Sequence, residues 1–311
     1  MFASWNPAQP EITDLLVQHD PVTLQRLPVR KQQLLDVFSH FRNRKALRAV
    51  QALPEKDGVL DPHGIDALLL TVHWEMQRLA EEFYHGNRVW ELLEPVINSI
   101  RQAGTNETLR IVDVGCGIGY TTRWLAAKVP LADYNIDLVG MDLNSTLIAE
   151  ANRLASAEHL PCRFLHGDAF SQEHSGHILL STGVIHHFRG EALFDFLRRH
   201  DRSKTQSFLH FDFHPWLLAP LGSLFFHRLR MRTAIARHDG VLSAARAYDA
   251  RTLTEAARIS APGFAAGIYG ATIWRTPAPR VFHTLVGLRH NLVPELRRQL
   301  GRHVSRLEEP R

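Results

Sequence analysis

The amino-acid sequence predicts an α/β fold: a doubly wound, mostly parallel seven-stranded sheet with an N-terminal helical extension and a helical lid insertion after strand five. Three observations support this. Residues 31–104 carry apolar side chains at helical spacing. From residue 109 to 214, short apolar runs alternate with amphipathic helices, the pattern of βαβ units and a parallel sheet. Beyond residue 214 the alternation stops, and helical segments precede two last strands.

The N-terminal extension is predicted as three helices. Residues 31–53 form the first. Asp61 followed by Pro62 is a cap and first-turn pair that opens the second. Residues 87–104 form the third, which Pro95 kinks or splits.

The alternating region is predicted strand by strand from its Val/Ile-rich runs. The five predicted strands are residues 109–115, 136–143, 162–170, 177–188 and 207–214. The helices between them are residues 120–129, 145–160 and 191–201. The last two strands, residues 265–275 and 280–290, are expected to pair antiparallel at the sheet edge. The predicted domain ranges are 1–105 for the extension, 106–290 for the main domain with an insertion at 215–250, and 291–311 for a basic C-terminal helix or tail.

Composition bounds the class of protein. The chain of 311 residues is 45% hydrophobic, enough for a substantial core. Its only two cysteines, Cys116 and Cys162, exclude a disulfide framework and suit a reducing cytoplasm. The net charge is +4 and the arginines are scattered, with no basic stripe interleaved with aromatics, so nucleic-acid binding is not expected. We therefore expect a soluble, cytoplasmic protein without a secretory signal.

The stretch "DVGCGIG", which ends the first predicted strand of the sheet, indicates a ligand. It reads Asp113-x-Gly115-x-Gly117-x-Gly119, whereas dinucleotide-binding proteins carry G-x-G-x-x-G. Ligands of doubly wound sheets bind at the carboxyl ends of the strands, where glycines allow close approach to the main chain. An acid two residues before the first glycine would repel a pyrophosphate and attract a sulfonium ligand that carries an ammonium group.

At this motif, and over about residues 109–288, the chain resembles the class I S-adenosylmethionine-dependent methyltransferases of the small-molecule type. The resemblance implies their Rossmann-like fold and S-adenosyl-L-methionine as cofactor. It also implies that Asp113 orients the methionine portion, that Asp142 accepts from both ribose hydroxyls, and that Asp168 addresses the adenine amino group. The complete set of implied cofactor-binding residues is Asp113, Gly115, Cys116, Gly117, Gly119, Asp142, Leu143, Asp168, Ala169, Phe170, Thr182 and Gly183.

Two adjacent histidines, His186 and His187, are the candidate catalytic residues. Methyl transfer is an in-line displacement in which the protein positions the nucleophile and excludes water. A hydroxyl or carbon nucleophile also needs a base, and histidine titrates near neutrality. Adjacent residues cannot both point at one spot, so at most one is the base. In the alternative interpretation, one histidine caps the next helix and the other packs under the lid.

The fifth predicted strand places His210, Asp212 and His214 on one face. Three ligands in line along a strand diverge too far to meet at one ion, so no metal site is predicted. We expect His210 and Asp212 to make structural contacts and His214 to approach the substrate. The segment after the fourth predicted strand lacks the Asn/Asp-Pro-Pro-aromatic motif typical of enzymes that methylate DNA bases or protein glutamines.

The insertion supplies the other substrate candidates. Arg232 and His238 are expected to grip an anionic or phenolic substrate, and His238 with Asp239 is an alternative source of the base. For each of them, a solvated helix face is the competing interpretation. The apolar run at 216–226 is too short to span a bilayer. It fits an apolar pocket wall best, with a membrane-surface contact or plain packing as alternatives.

Together these features predict methyl transfer to a small, apolar or aromatic metabolite of secondary metabolism, with O-methylation favoured and C-methylation second. The alternatives are an RNA or protein methyltransferase and a non-catalytic protein that binds S-adenosylmethionine. An NAD-dependent oxidoreductase is disfavoured by the glycine spacing. The partner predicted is a small molecule rather than nucleic acid. Stable membrane insertion is not expected, while a peripheral membrane contact and a homodimer stay open.

Overall fold

The computed structural model of the chain describes residues 6–131, 133–170, 176–202, 204–215, 219–270 and 282–308. Its strands, in chain order, are β1 (Gln18–His19), β2 (Arg26–Leu27), β3 (Glu55–Lys56), β4 (Val59–Leu60), β5 (Leu109–Val114), β6 (Ile136–Asp142), β7 (Arg163–His166), β8 (Ile178–Thr182), β9 (Ser207–Phe213), β10 (Phe264–Tyr269), β11 (Phe282–Arg289) and β12 (Leu307–Glu308). Its helices are α1 (Thr13–Leu16), α2 (Lys31–His40), α3 (Arg44–Gln51), α4 (Pro62–Glu82), α5 (His85–Gln102), α6 (Tyr120–Lys128), α7 (Ser145–Ala157), α8 (Glu191–Arg198), α9 (Ala219–Arg230), α10 (Ala234–Arg246), α11 (Ala250–Ser260) and α12 (Val293–Leu300).

The main sheet has the strand order β12-β10-β11-β9-β8-β5-β6-β7. The five strands from β9 to β7 are mutually parallel. Beyond β9, each pairing is antiparallel: β11 with β9, β10 with β11, and β12 with β10. The predicted fold class, a doubly wound and mostly parallel sheet, is confirmed. The order reverses at β5, whose neighbours are β6 and β8, so the carboxyl ends of these three strands flank the switch point where ligands of such sheets bind.

The sheet has eight strands among the described residues, one more than predicted. The extra strand is β12, which pairs with the outer edge of β10 through Ile268 opposite Glu308 and Tyr269 opposite Leu307. β10 and β11 pair antiparallel as expected, and β11 lies between β9 and β10. Residues 271–275 and 280–281 of the two predicted strands lie outside the described residues.

Apolar side chains cover both faces of the sheet. Along β5, Ile111 joins one buried cluster with residues of α5, α6 and α12. The next residue, Val112, joins a second cluster with residues of α8 and α11. Because successive side chains of a strand point to opposite faces, the two clusters are the two helix layers of a doubly wound fold.

The chain divides into two compact units. Unit 1 comprises residues 1–79 and 215–247, so the N-terminal segment and the insertion after β9 fold together. Unit 2 comprises residues 80–214 and 248–311 and contains the main sheet. α5, which falls in the predicted extension, belongs to unit 2 because its apolar face is part of the core of the sheet. Within the described residues, no helix combines the length and hydrophobicity needed to cross a membrane.

The third predicted strand, residues 162–170, is shorter in the structure, at Arg163–His166. Two further elements differ because a turn interrupts them. The single helix expected at 31–53 is two helices, because Arg42 adopts a φ of 51° and the Asn43 side chain accepts from the N–H of Ala46 at 3.1 Å, which caps α3. The fourth strand of the alternating region ends at Thr182 rather than at residue 188, and a short 3₁₀ turn follows it. Both misjudged segments are continuous apolar patterns that a local backbone turn interrupts.

Candidate cofactor and catalytic site

The glycine loop joins β5 to α6. Gly115, Gly117 and Gly119 have φ values of 69°, 56° and 76°, a region that only glycine enters without strain. A Cβ atom on Gly115 would lie 2.7 Å from Cγ2 of Val184, and one on Gly119 would overlap the ring of Phe164. Two of the three glycines are therefore required by packing inside the protein as well as by the turn.

Asp113 lies in β5, one residue before the strand ends, and is 1% exposed. Its Oδ2 accepts from the hydroxyl of Thr122 at 2.7 Å, and its Oδ1 has no hydrogen-bond partner among the described residues. Burial raises the pKa of Asp113 to about 7, with a further increase from the charge of Asp142 and an opposing effect of the Thr122 hydrogen bond. A buried acceptor without a donor fits a cationic ligand group, such as an ammonium.

Asp142 is the last residue of β6, and its carboxylate contacts the glycine loop and the residue that precedes α7. Its Oδ2 accepts from the backbone N–H of Gly117 at 2.9 Å, and its Oδ1 accepts from that of Asn144 at 2.8 Å. Each carboxylate oxygen has a second lone pair, so both can also accept from a ligand hydroxyl. Leu143 follows and is 38% exposed, and Cys116 lies half-buried in the glycine loop.

Asp168 follows the end of β7 and forms a turn in which its Oδ1 accepts from the backbone N–H of Phe170 at 2.9 Å. The ring of Phe170 packs edge-on against Phe188 at 5.3 Å between centroids, and the guanidinium of Arg199 lies over it at 5.4 Å. Ala169 packs beside the same apolar cluster. The carboxylate is thus held by its own turn, and the aromatic ring is already partly enclosed by the protein.

At the end of β8, successive side chains point alternately to the core and to the candidate site. Ser181 is fully buried, and its hydroxyl lies 2.8 Å from Nδ1 of His210, because residues of a strand alternate between its faces. The hydroxyl of the next residue, Thr182, lies 3.4 Å from that of Thr121. Gly183 follows with a φ of 68° and open space where a Cβ would stand, so a ligand can reach its main chain.

His186 lies in the 3₁₀ turn Ile185–His187 and contacts Asp212 of β9. Its Nδ1 lies 2.8 Å from Oδ1 of Asp212, and its backbone N–H donates to Oδ2 at 3.0 Å. Both side chains are buried. Burial alone would raise the pKa of Asp212, but the charge of His186 and hydrogen bonds from it and from the Phe213 backbone hold that pKa below its usual value.

The other histidines of this region differ in their surroundings. The half-buried ring of His187 lies 4.3 Å from that of His186. His210 bonds through Nε2 to Nε2 of His200 at 2.7 Å, and burial lowers its pKa to about 3, so it is a neutral core residue. His214 follows β9, with its ring edge-on to that of His283 at 5.4 Å.

The two substrate candidates of the insertion lie in unit 1. Arg232 is exposed, and its backbone N–H donates to Glu75 at 2.8 Å. Both ring nitrogens of His238 are engaged: Nδ1 lies 2.7 Å from Oδ1 of Asp239, and Nε2 lies 2.8 Å from the side-chain nitrogen of Asn43. The His238–Asp239 pair therefore anchors unit 1 internally, and this arrangement gives it no ring nitrogen for proton transfer to a substrate.

Two residues near His186 were not identified as site residues from the sequence. The sequence predicts only a structural contact for Asp212, whereas the structure makes Asp212 the partner of His186. The sequence does not single out His283, which lies directly opposite Asp212 across the β9–β11 pair and is 1% exposed. Burial lowers the pKa of His283 to about 4. The only sequence signal was the position of these residues at the ends of predicted strands.

Comparison with known protein families identifies a domain within this chain. Residues 111–203 match the family model of a methyltransferase domain, the segment that carries the glycine loop, Asp142, Asp168 and His186. The chain contains a methyltransferase domain at these residues. The predicted superfamily and S-adenosylmethionine as its cofactor are confirmed. No curated protein matches this methyltransferase.

Several solved structures are similar to this chain. One is the plantazolicin methyltransferase BamL in complex with a triazolic desmethylPZN analog and SAH, at 13% identity and a TM-score of 0.50, covering 70% of this methyltransferase and 90% of that chain. Another is the magnesium protoporphyrin IX methyltransferase (ChlM) from Synechocystis PCC 6803, at 15% identity and a TM-score of 0.42, covering 83% and 99%. A TehB-like methyltransferase from Corynebacterium glutamicum has 15% identity and a TM-score of 0.39, covering 68% and 98%. At 13% identity, the likeness to BamL concerns the fold alone.

Proposed function

We propose that this methyltransferase methylates a small, apolar or aromatic metabolite at oxygen, with carbon as the second choice, and that His186 is its general base. The observation that carries the proposal is the buried contact between His186 and Asp212. A hydroxyl nucleophile must lose its proton as it attacks, and a histidine oriented by a carboxylate is suited to accept it. A cytoplasmic location and a homodimer stay predictions.

The Asp212 carboxylate fixes which nitrogen of His186 is basic. The lowered pKa of Asp212 keeps it ionised at neutral pH, and an ionised carboxylate can only accept hydrogen bonds. Nδ1 of His186 therefore carries the proton of their hydrogen bond, and Nε2 is the basic nitrogen of the ring. The backbone N–H of His186 donates to the same carboxylate, which fixes the residue at two points.

When bound, S-adenosylmethionine supplies a sulfonium-activated methyl group whose carbon–sulfur bond breaks as the new oxygen–carbon bond forms, with S-adenosylhomocysteine as the product. His186 takes the hydroxyl proton at Nε2, and Asp212 stabilises the resulting imidazolium. We assign His187 a positioning role beside it. On the cofactor side, we propose that Asp113 holds the ammonium group and Asp142 the ribose hydroxyls.

The surroundings of the pair favour an apolar or aromatic substrate. The ring of Phe213 lies 5.9 Å from that of His186, and the ring of Phe282 lies 5.3 Å from that of Phe213. Aromatic rings beside a base exclude water and pack against flat apolar molecules. We therefore expect a phenol or enol rather than a highly charged metabolite.

The decisive experiment is to incubate the enzyme with methyl-labelled S-adenosylmethionine and a cell extract, and to isolate the labelled product. With that product's precursor as substrate, we expect His186→Ala to lower kcat by about 100-fold or more, the usual contribution of a general base. His187→Ala should stay within a few-fold of wild type. Asp212→Asn should also lower kcat strongly, because an amide can turn the ring into the wrong tautomer.

Cofactor binding separates a lost base from a damaged fold. Each variant should bind S-adenosylhomocysteine with wild-type affinity in isothermal titration. Equal and near-normal turnover in His186→Ala and His187→Ala would remove the base assignment. Label recovered in RNA or protein instead of a small molecule would reject the substrate class.

A further inference from the structure

Helix α9 exposes a row of large apolar side chains. Leu221, Phe225 and Leu229 are 48%, 71% and 76% exposed. Their spacing of four residues places them on one face of the helix. A surface helix normally turns its apolar stripe towards the protein, and exposed apolar residues are ordinarily scattered singly. The stripe therefore points outward, and the apolar pocket wall expected from the sequence does not describe these three side chains.

The same segment is basic and free of acids. No aspartate or glutamate occurs between Asp212 and Asp239, whereas Arg228, Arg230 and Arg232 follow one another at every second position. All three arginines are exposed. An exposed apolar stripe that ends in a cluster of positive charge is the pattern of a helix that lies in the interface of a membrane.

Helix α4 adds to this surface. Arg78 donates to the backbone carbonyl of Arg230 at 3.2 Å, which brings a further exposed cation to the carboxyl end of α9. Trp74 lies one turn earlier on the same face of α4 and is 37% exposed. Tryptophan is enriched at the headgroup level of membranes, where its ring and its N–H are both accommodated.

We propose that the α9 face, defined by Leu221, Phe225, Leu229, Arg228 and Arg232, docks on the surface of an anionic lipid bilayer. The three apolar side chains enter the boundary between headgroups and acyl chains, and the arginines contact lipid phosphates. A second copy of this chain is a poorer occupant, because the same segment of the partner offers no acidic side chain to pair with the arginines. The proposal is independent of the substrate and of the catalytic base.

Vesicle sedimentation tests the proposal with the full-length protein. We expect wild type to bind vesicles of phosphatidylcholine with phosphatidylglycerol, to ignore phosphatidylcholine alone, and to bind less as salt rises. The double variant Phe225→Ser/Leu229→Ser should lower the partition coefficient roughly ten-fold or more, because two apolar side chains no longer enter the bilayer. Arg228→Gln should lower it about five-fold, the usual effect of one cation near an anionic surface.

A matched control lies in unit 2. Ile259 is another apolar side chain, 55% exposed on α11, and Ile259→Ser should leave vesicle binding unchanged. Thermal unfolding by circular dichroism confirms that each variant is folded.

Three results would overturn the proposal. Wild type could fail to bind either vesicle, or the double variant could bind as well as wild type. The third is concentration-dependent dimerisation that Phe225→Ser abolishes without any vesicle binding, which would assign the face to a second copy.

Discussion

The carboxyl group of Asp113 is poised between its two charge states. Burial raises its pKa to about 7, and its Oδ1 lacks a donor within the described part of the chain. Since this pKa lies above the ordinary value for aspartate, the stability gained from the neutral form is complete below about pH 4 and is lost as the pH rises through about 7. A cationic ligand binds the ionised form more tightly, so binding of such a ligand favours the ionised carboxylate of Asp113.

Cofactor affinity should therefore depend on pH. We expect the affinity for S-adenosylhomocysteine to fall about ten-fold from pH 8 to pH 6, as Asp113 takes up a proton with a pKa of about 7. Isothermal titration at the two pH values measures it.

Two substitutions identify the responsible group. Asp113→Asn should bind weakly at both pH values and lose the pH dependence. Asp168→Asn should weaken the binding of S-adenosylhomocysteine but leave its pH dependence unchanged. A wild-type affinity that is the same at both pH values would contradict the assignment of the ammonium group to Asp113.

Residues near strand ends could be placed from the sequence, and their partners could not. Asp113, Asp142 and Asp168 each lie at or just beyond the end of a predicted strand, and a parallel sheet brings such ends to one edge. The contact between His186 and Asp212 joins residues 26 positions apart. It depends on a 3₁₀ turn whose direction the apolar pattern does not encode, so no sequence pattern predicts the pairing.

At the scale of elements, the entry into α6 depends on one glycine. Gly119 precedes the helix in the left-handed region, and Phe164 of β7 occupies the space where its side chain would be. The turn after β5 therefore packs against Phe164 of β7, a strand two positions away in the sheet. Packing of this kind fixes the height of the helix amino terminus above the sheet edge.

Substituting Gly119 tests the packing of the turn against Phe164. Gly119→Ala should lower the free energy of unfolding by about 3 kcal/mol, from the strained φ together with overpacking against Phe164. Gly190→Ala is the matched control: Gly190 also has a positive φ, and nothing lies within 4 Å of its missing Cβ. We expect it to cost about 1 kcal/mol. Urea unfolding measures both, and equal costs would show that Phe164 does not constrain the loop.

Element boundaries were the weakest part of the sequence prediction. The helix expected at 31–53 breaks at residues 41–43, and the strand expected at 177–188 ends at Thr182. In both places the apolar pattern continues through the turn, because residues beyond it are buried by other contacts. The order and type of the elements from β5 to β9 were predicted correctly, since each is a strong periodic run.

At the scale of the whole molecule, unit 1 is built from two segments far apart in the chain. The Asp239 carboxylate in α10 accepts from the backbone N–H groups of Ile12 and Thr13 at 2.9 and 3.0 Å, and from the Thr13 hydroxyl at 2.9 Å. Glu75 of α4 likewise accepts from the backbone N–H groups of Arg232 and Thr233, which directly precede α10. Buried carboxylates on backbone donors thus hold the two segments together.

Removing one of these carboxylates should loosen the N-terminal segment. Asp239→Ala leaves four donors without their acceptor, namely the two N–H groups, the Thr13 hydroxyl and Nδ1 of His238, which we expect to cost about 3 kcal/mol. Hydrogen exchange followed by mass spectrometry should show faster exchange at residues 12–16 and unchanged protection in β5 and β6. Asp20→Ala, at an exposed turn of the same unit, is the control and should leave exchange at residues 12–16 as in wild type. Unchanged exchange in Asp239→Ala would contradict the anchoring role.

The distance in sequence between Ile12 and its acceptor has a consequence for biosynthesis. A ribosome adds about 5 to 20 residues each second, so Asp239 emerges on the order of ten seconds or more after Ile12. During that interval the first eighty residues have left the exit tunnel without the segment that completes their core. The nascent chain consequently passes through a stage in which the N–H groups of Ile12 and Thr13 lack the carboxylate that accepts from them in the folded chain.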